Sequence, residues 1–492
     1  MSIIKKQGIS SAIFLGIGIL LGFLTNILLF PKIMGLEIYG FTQWLMSLLA
    51  FTGFLGGFGI TNIITKYFPY YQEPPQKKHF FSFSVIYGSV GILITVFVLF
   101  LLKDFIIGTI DNEADALLAQ KHYYLLFIGA VCILYNDLFI AYLKSLLKVR
   151  VPIFLQEVLV RLLTLLLIVF YFFEWISLPT FLTLFIVKFV FILGTLLVYL
   201  WSIQELKLNL KGHLILKTKQ VKGMLNFAAF AFLSKVSNII IARIDILMIT
   251  AFLDFKNVGI YSVFALIASL IKLPHNAFSP IVTPIIANAW KENDVARIQQ
   301  LYQQTSLNNL VGGMLIFLLI ESNLHNLINF LGVETYSGGY AISLWLGIGY
   351  LVLVSLGINS IIMINSTHYQ FDLLTKLIMV VLTVGLNYLL IPQLGLMGAA
   401  LATSITLISV NIIISLIIFI KFKLQPYTLQ TFKLILIALF VWSINQYLPT
   451  LSYWIFDLVY RSILIAFLFI GLVLHFRISP EINNFVGNLK KS

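Results

Sequence analysis

Runs of about 20 apolar residues recur along almost the whole of this chain, and a helix of that length spans a bilayer core about 30 Å thick. About fourteen such runs are legible: 9–30, 39–64, 80–102, 123–143, 151–173, 178–201, 224–252, 258–287, 301–320, 341–364, 373–391, 396–420, 432–448 and 458–476. Spanning strands would be about half as long, so the runs predict helices rather than a barrel. Of the 492 residues 60% are hydrophobic and only 10% charged, which excludes an ordinary soluble protein. The expected fold is an all-α membrane protein.

The loop cations test that count. Cytoplasmic loops of membrane proteins hold the excess of Lys and Arg. With both termini inside, only Lys32, Lys103, Lys121 and Lys256 fall on the outer side, and every other loop Lys and Arg falls inside. One missed or invented span would spoil the separation, so an even number near fourteen is expected. The first run follows Lys5 and Lys6 as a secretory signal would, but it is too long and lacks a small-residue cleavage site, so it reads as the first span. The connection 202–223 carries five lysines and divides six spans from eight. Glu37-Ile-Tyr-Gly40-Phe41 after the first span is echoed by Lys256-Asn-Val-Gly259-Ile260 after the seventh. This hints at parallel repeats: an N-terminal lobe (1–215), a second six-span lobe (216–425) and two additional C-terminal helices (426–492).

Charges inside the runs are the main functional clue. Arg161, Lys188, Lys235, Arg243, Lys272, Lys376 and Arg461 lie within apolar stretches, against only Asp137, Glu157 and Asp245. A cation at the bilayer centre costs about 2.5–3.5 kcal/mol on insertion scales and therefore faces a partner, a cavity or a transport path. The positive excess predicts an anionic cargo. Arg161, Lys188, Lys235 and Lys272 lie about 15–21 Å from a helix end and lead the list of substrate-binding candidates, with Arg243 behind them. The bland alternative pairs Arg161 with Glu157 one turn away and leaves the lysines to snorkel or bond carbonyls. Asp137 and Asp245 are candidate proton or sodium coupling sites, or else interhelical partners. Lys376 and Arg461, near span ends, read as snorkelling anchors.

Other features are weaker. Pro274, Pro280 and Pro284 predict bends in the eighth span, where His275 reads as bonding a carbonyl rather than sensing pH. Gly18, Gly22, Gly53 and Gly57 read as close-packing positions. A single cysteine, Cys132, leaves no disulfide or cysteine-metal framework. The net charge of +13 follows from loop topology, so no nucleic-acid partner is expected. Neither a nucleotide-binding phosphate loop nor a zinc motif is present, and no metal or cofactor is expected.

The stretch Asn387-Tyr-Leu-Leu-Ile-Pro392-Gln-Leu-Gly395-Leu-Met-Gly398-Ala-Ala-Leu-Ala-Thr403 resembles a recurrent segment of the polysaccharide flippases, within the multidrug/oligosaccharidyl-lipid/polysaccharide exporter superfamily. Phe30-Pro31, Gly35-Leu-Glu-Ile-Tyr-Gly40 and the segment Asp245 to Tyr261 look like family positions too. The resemblance implies a two-lobed bundle around a central cavity opening alternately to either side, and a non-enzymatic role. Its implied cargo is an undecaprenyl-pyrophosphate-linked oligosaccharide for O-antigen, capsule or exopolysaccharide, moved across the bacterial cytoplasmic membrane. Implied partners are membrane lipids, a coupling proton or sodium ion, and a polymerase with other polysaccharide-assembly proteins. A pyrophosphate suits Lys and Arg independently, and Asn26, Asn62 and Asn238 are candidates for sugar contact. The alternatives are a lipid II flippase, a multidrug antiporter, for which acidic cavity residues would be expected, and a membrane glycosyltransferase or polymerase, for which a large outer loop would be expected.

Overall fold

In the computed structural model the apolar runs are α-helices, the one open-ended structure that satisfies its own backbone within lipid. The structure describes residues 2–206, 218–331, 336, 338–481 and 483, side chains excepted at 2–9, 11, 12, 54, 74, 218–220, 230, 231, 233–236 and 238. Half of the 202–223 connection, residues 207–217 with Lys207, Lys211 and Lys217, lies outside them.

The long helices are α1 (Ile13–Met34), α2 (Leu36–Gly57), α3 (Pro75–Leu101), α4 (Tyr124–Ser145), α5 (Arg150–Phe172), α6 (Leu178–Ser202), α7 (Thr218–Phe252), α8 (Phe255–Lys291), α9 (Val295–Leu331), α10 (Gly339–Ser355 continued by Asn359–Asn365), α11 (Gln370–Leu394), α12 (Leu396–Phe422), α13 (Leu429–Tyr447) and α14 (Trp454–His475). Among the described residues twelve are long and apolar enough to cross a membrane, and the bent α10 pair makes a thirteenth. The other is α7, which carries Lys235, Arg243 and Asp245. The chain is an all-α, multi-pass membrane protein.

Two compact units are present, Met1–Gly259 and Ile260–Ser492. In the first, α4 lies against α2, α3 and α6, α7 packs on α2, and α5 on α1 and α6. In the second, α9 is the hub: α8, α10, α13 and α14 pack around it, and α12 joins α10 to α11. At 37 residues α9 exceeds the 301–320 run at both ends. Its C-terminal extension is polar where it meets α14, with Asn323 Nδ2 donating to Ser462 Oγ (3.1 Å) and Asn326 Nδ2 to Asp457 Oδ2 (2.6 Å). Hydropathy alone therefore cut it short.

The two echoed motifs meet in the first unit. A Cβ on Gly40 would overlap the Phe255 carbonyl, and a Cβ on Gly259 would overlap the Leu36 carbonyl. Each glycine faces the carbonyl four residues before the other, a reciprocal backbone contact that only glycine permits. A separate helix fixes the same point. Asn112 caps Glu113–His122 by accepting from the Ala114 and Asp115 amides (3.0 and 3.2 Å), and Asp115 Oδ2 then accepts from the Phe255 N–H at the start of α8 (2.6 Å). Burial raises the Asp115 carboxyl pKa, with Glu37 and Asp254 adding to the rise, while the Phe255 N–H opposes it.

Gly40→Ala and Gly259→Ala should each lower the stability of the solubilised protein by about 1–3 kcal/mol or more, because backbone cannot yield as a side chain can. Thermal unfolding in detergent measures this. A carboxyl whose folded pKa is raised contributes stability that is complete below its unfolded value and lost as pH rises through the folded one. Asp115→Asn, which keeps an acceptor without the charge, should flatten the pH–stability slope above pH ~4, and Asp115→Ala should cost about 1 kcal/mol through the lost cap.

Candidate functional site

Three of the seven intramembrane cations carry their own neutralising partner. Glu157 Oε2 accepts from Arg161 Nη1 at 2.7 Å, Asp372 Oδ2 from Lys376 Nζ at 2.7 Å, and Asp457 Oδ2 from Arg461 Nε at 2.7 Å. In each pair the acid precedes the base by four residues, the favoured order on one helix face. Two anchors expected to snorkel are thus held by ion pairs instead. Arg461 is buried and also donates to Asn445 Oδ1 and to the Leu448 and Pro449 carbonyls. Asp372 and Asp457 fell at or outside the span limits drawn on hydropathy, yet their four-residue spacing to a base was readable.

Arg161 has a built-in berth. Its partner Glu157 lies in a π-helical turn, Phe154–Leu159, within α5. A Cβ on Gly22 of α1 would come within 3.1 Å of Arg161 Nε, and one on Gly18 would collide with Nη1. These glycines admit a charged pair as well as a close helix. Lys188 is buried between α5 and α6, where Nζ donates to Thr164 Oγ1 (2.9 Å) and stands 3.4 Å from the centroid of the Phe185 ring. Lys272, in a 3₁₀ turn within α8, stands over the Tyr350 ring at 4.3 Å. The side chains of Lys235 and Asn238 lie outside the described residues.

Arg243 is placed differently. It lines a cavity of about 320 Å³ inside the first unit, together with Asn136, Asp137 and Gln156. An adjoining cavity of about 450 Å³ shares Thr61, Asp137, Ile140 and Gln156 with it and runs on past Asn62 and Thr65 to Lys144. Asp137 faces both. The first is walled partly by glycine, since Gly53, Gly57 and Gly59 lie on it. Next to this wall the helix of the second run breaks: Phe58 and Gly59 take left-handed conformations (φ 38° and 75°) before Ile60–Tyr67 resumes. The freed Phe58 carbonyl accepts from Tyr87 Oη at 3.1 Å. Non-helical backbone at membrane depth is tolerated where it is buried or lines a cavity.

The structure thus brings Arg243 and Asp137 to one cavity system and leaves Arg161, Lys188 and Asp245 off its lining. Asp245 is buried two residues beyond Arg243, on another face of α7. Sequence reasoning missed Asn136, Gln156 and Lys144 as lining groups, because a single polar residue on a helix does not show which way it faces. Asn62 does line the adjoining cavity, as its candidacy for cargo contact requires.

The arrangement is a largely apolar cavity that bears an arginine, an aspartate and two amides in a helical membrane bundle. The chain belongs to the polysaccharide biosynthesis protein family, whose model matches residues 4–290. Among solved structures it is similar to the lipid II flippase MurJ in an inward closed conformation, at 15% identity and a TM-score of 0.73, over 96% of this chain and 100% of that one. It is also similar to an inward-facing multidrug resistance MATE family transporter of the MOP superfamily, at 15% identity and a TM-score of 0.64, over 84% and 98% of the two chains. A MATE transporter of Vibrio cholerae gives 14% identity and 0.56, over 84% and 96%. These likenesses establish that the chain shares their fold. No curated protein matches by sequence.

Asp457→Ala should be severely destabilising, by about 3–5 kcal/mol, since it strands Arg461 in a buried site. Asp457→Ala combined with Arg461→Met should recover much of that loss in the same unfolding assay.

Proposed function

We propose that this protein is a flippase that carries undecaprenyl-pyrophosphate-linked oligosaccharide repeat units from the inner to the outer leaflet of the bacterial cytoplasmic membrane by alternating access, for O-antigen, capsule or exopolysaccharide assembly. The observation that carries the reading is Arg243 on a cavity, which it shares with Asp137, while Arg161, Lys376 and Arg461 are spent on acids of their own helices. A guanidinium that reaches a cavity can give a pyrophosphate paired, charge-assisted hydrogen bonds. Lys272 and Lys235 are the further cations assigned to the cargo. Lys188 and Arg161 have structural roles, and Asp137 is the coupling candidate ahead of Asp245. In this reading both termini are cytoplasmic, 1–215 and 216–425 are repeated lobes with 426–492 added, and a polymerase takes the delivered units.

The fold likeness to MurJ favours lipid II as a second reading, because that cargo presents the same pyrophosphate. Gene deletion separates the two. Full-length glycan repeat units held on the inner leaflet, with cell-wall precursors unchanged, are expected. Trapped cell-wall precursors would select the second reading, and incomplete sugars would select a transferase. Complementation with Arg243→Gln should restore less than a tenth of surface glycan at wild-type protein level, as expected for losing a charged contact of about 1.5–3 kcal/mol. Wild-type glycan from that variant would overturn the role of Arg243.

A further inference from the structure

The second unit contains a cavity that the cation argument does not use. The bend in α10, 47° between its two segments, falls at Gly357, whose φ is +59°. There the Leu356 N–H turns to the Val352 carbonyl (3.2 Å) and the Gly357 N–H to the Val354 carbonyl (3.1 Å). Among the described residues no backbone N–H is left for the Leu353 carbonyl. Ser306 on α9 donates its hydroxyl to the Ser355 carbonyl, and a Cβ on Gly357 would press on the Ser306 backbone at 3.0 Å. The break is therefore held from outside and is part of the packing.

On it lies a cavity of about 460 Å³, lined by Leu353 and Gly357 at the break, by His275, Ser279 and Thr283 from α8, and by Asn411 from α12. Asn359 Nδ2 donates to Asn411 Oδ1 (3.1 Å), which fixes one wall. His275 Nε2 faces Ser279 Oγ at 3.2 Å rather than a carbonyl, and its Nδ1 is buried with no partner among the described residues. Unused hydrogen-bonding capacity of this kind is costly at membrane depth unless something fills it.

Size and charge define what would fit. The volume is far above the ~30 Å³ share of one water and falls within the range of about 300–1,000 Å³ of small organic ligands. No charged side chain lines it. Ser279 and Thr283 already donate to the His275 and Ser279 carbonyls (2.7 Å each), and the Asn359 and Asn411 amides donate to Asn411 and to the Leu407 carbonyl, so the carbonyl, hydroxyl and imidazole groups of the lining offer chiefly acceptors, interspersed with the aliphatic faces of Pro280 and Ile358. That combination matches an uncharged polyhydroxyl compound and offers nothing to a phosphate.

We infer that this cavity of the second unit is a sugar-binding subsite, which takes one or two uncharged residues of a glycan through His275, Ser279, Thr283 and the backbone freed at Gly357. The inference rests on the reading of the protein as a lipid-linked oligosaccharide flippase. It adds that affinity depends on the sugar portion as well as on the pyrophosphate.

The test uses the full chain in lipid nanodiscs with two probes: undecaprenyl pyrophosphate, and the undecaprenyl-pyrophosphate-linked saccharide extracted from the producing cells. Wild type should bind the saccharide-bearing lipid more tightly. His275→Ala and Ser279→Leu should each weaken it about tenfold and leave the sugar-free lipid unchanged, the loss expected for one or two neutral hydrogen bonds. Arg243→Gln should weaken both probes and serves as the control for the pyrophosphate contact. Equal wild-type affinity for the two lipids, or equal weakening of both by His275→Ala and Ser279→Leu, overturns the subsite but leaves the flippase reading standing. Failure of wild type to bind either lipid overturns both. If one variant fails to fold, the other decides, since Ser279→Leu fills the cavity and His275→Ala enlarges it.

Discussion

A charge or an unpaired peptide group inside a bilayer can be satisfied only by the protein itself, and this requirement organises the whole molecule. It makes every spanning segment a helix. It also sorts the intramembrane cations. Arg161, Lys376 and Arg461 each have a carboxylate one turn earlier, and Arg461 adds three further acceptors, one at the end of α13 and two in the turn that follows it. Lys188 has a hydroxyl and an aromatic face, and Lys272 an aromatic face. Arg243 reaches a cavity.

The same requirement explains where helices may break. Phe58-Gly59 in the first unit and Gly357 in the second are departures from helical geometry in the middle of apolar runs, and each adjoins a cavity. At the first, Tyr87 supplies a donor to the Phe58 carbonyl; at the second, Ser306 supplies one to the Ser355 carbonyl, and the Leu353 carbonyl has no backbone donor among the described residues. Polar groups that would be liabilities in a continuous helix become the lining of a site. The reciprocal contact of Gly40 with Phe255 and of Gly259 with Leu36 is the complementary case, where absent side chains let backbone meet backbone.

Much of the fold was legible in the amino-acid order because hydropathy over about 20 residues is a local property. The span limits of α4, α6 and α12 fall close to the runs drawn for them, whereas α9 extends well past its run because its ends are amphipathic. The site was legible only in part. The intramembrane cations stood out by type, and Arg243 and Asp137 do line a cavity, but Arg161 and Lys188 ranked high on depth alone and depth does not report direction. Asn136 and Gln156 gave no signal, since an amide in a helix is as ordinary in packing as in binding.

The sequence by itself determined that this chain lives in a membrane, that a dozen or more of its helices are long and apolar enough to cross it, and that basic groups are buried within them. It also held the spacing of the three acid–base pairs, which is local to one helix turn. Only the tertiary structure decided which cation meets a cavity, that Asp115 caps α8 from 140 residues away, and that two glycines distant in sequence share one contact. The reason is physical: helix formation and membrane insertion depend on neighbours along the chain, whereas the direction a side chain faces becomes meaningful only when another helix, or its absence, stands opposite.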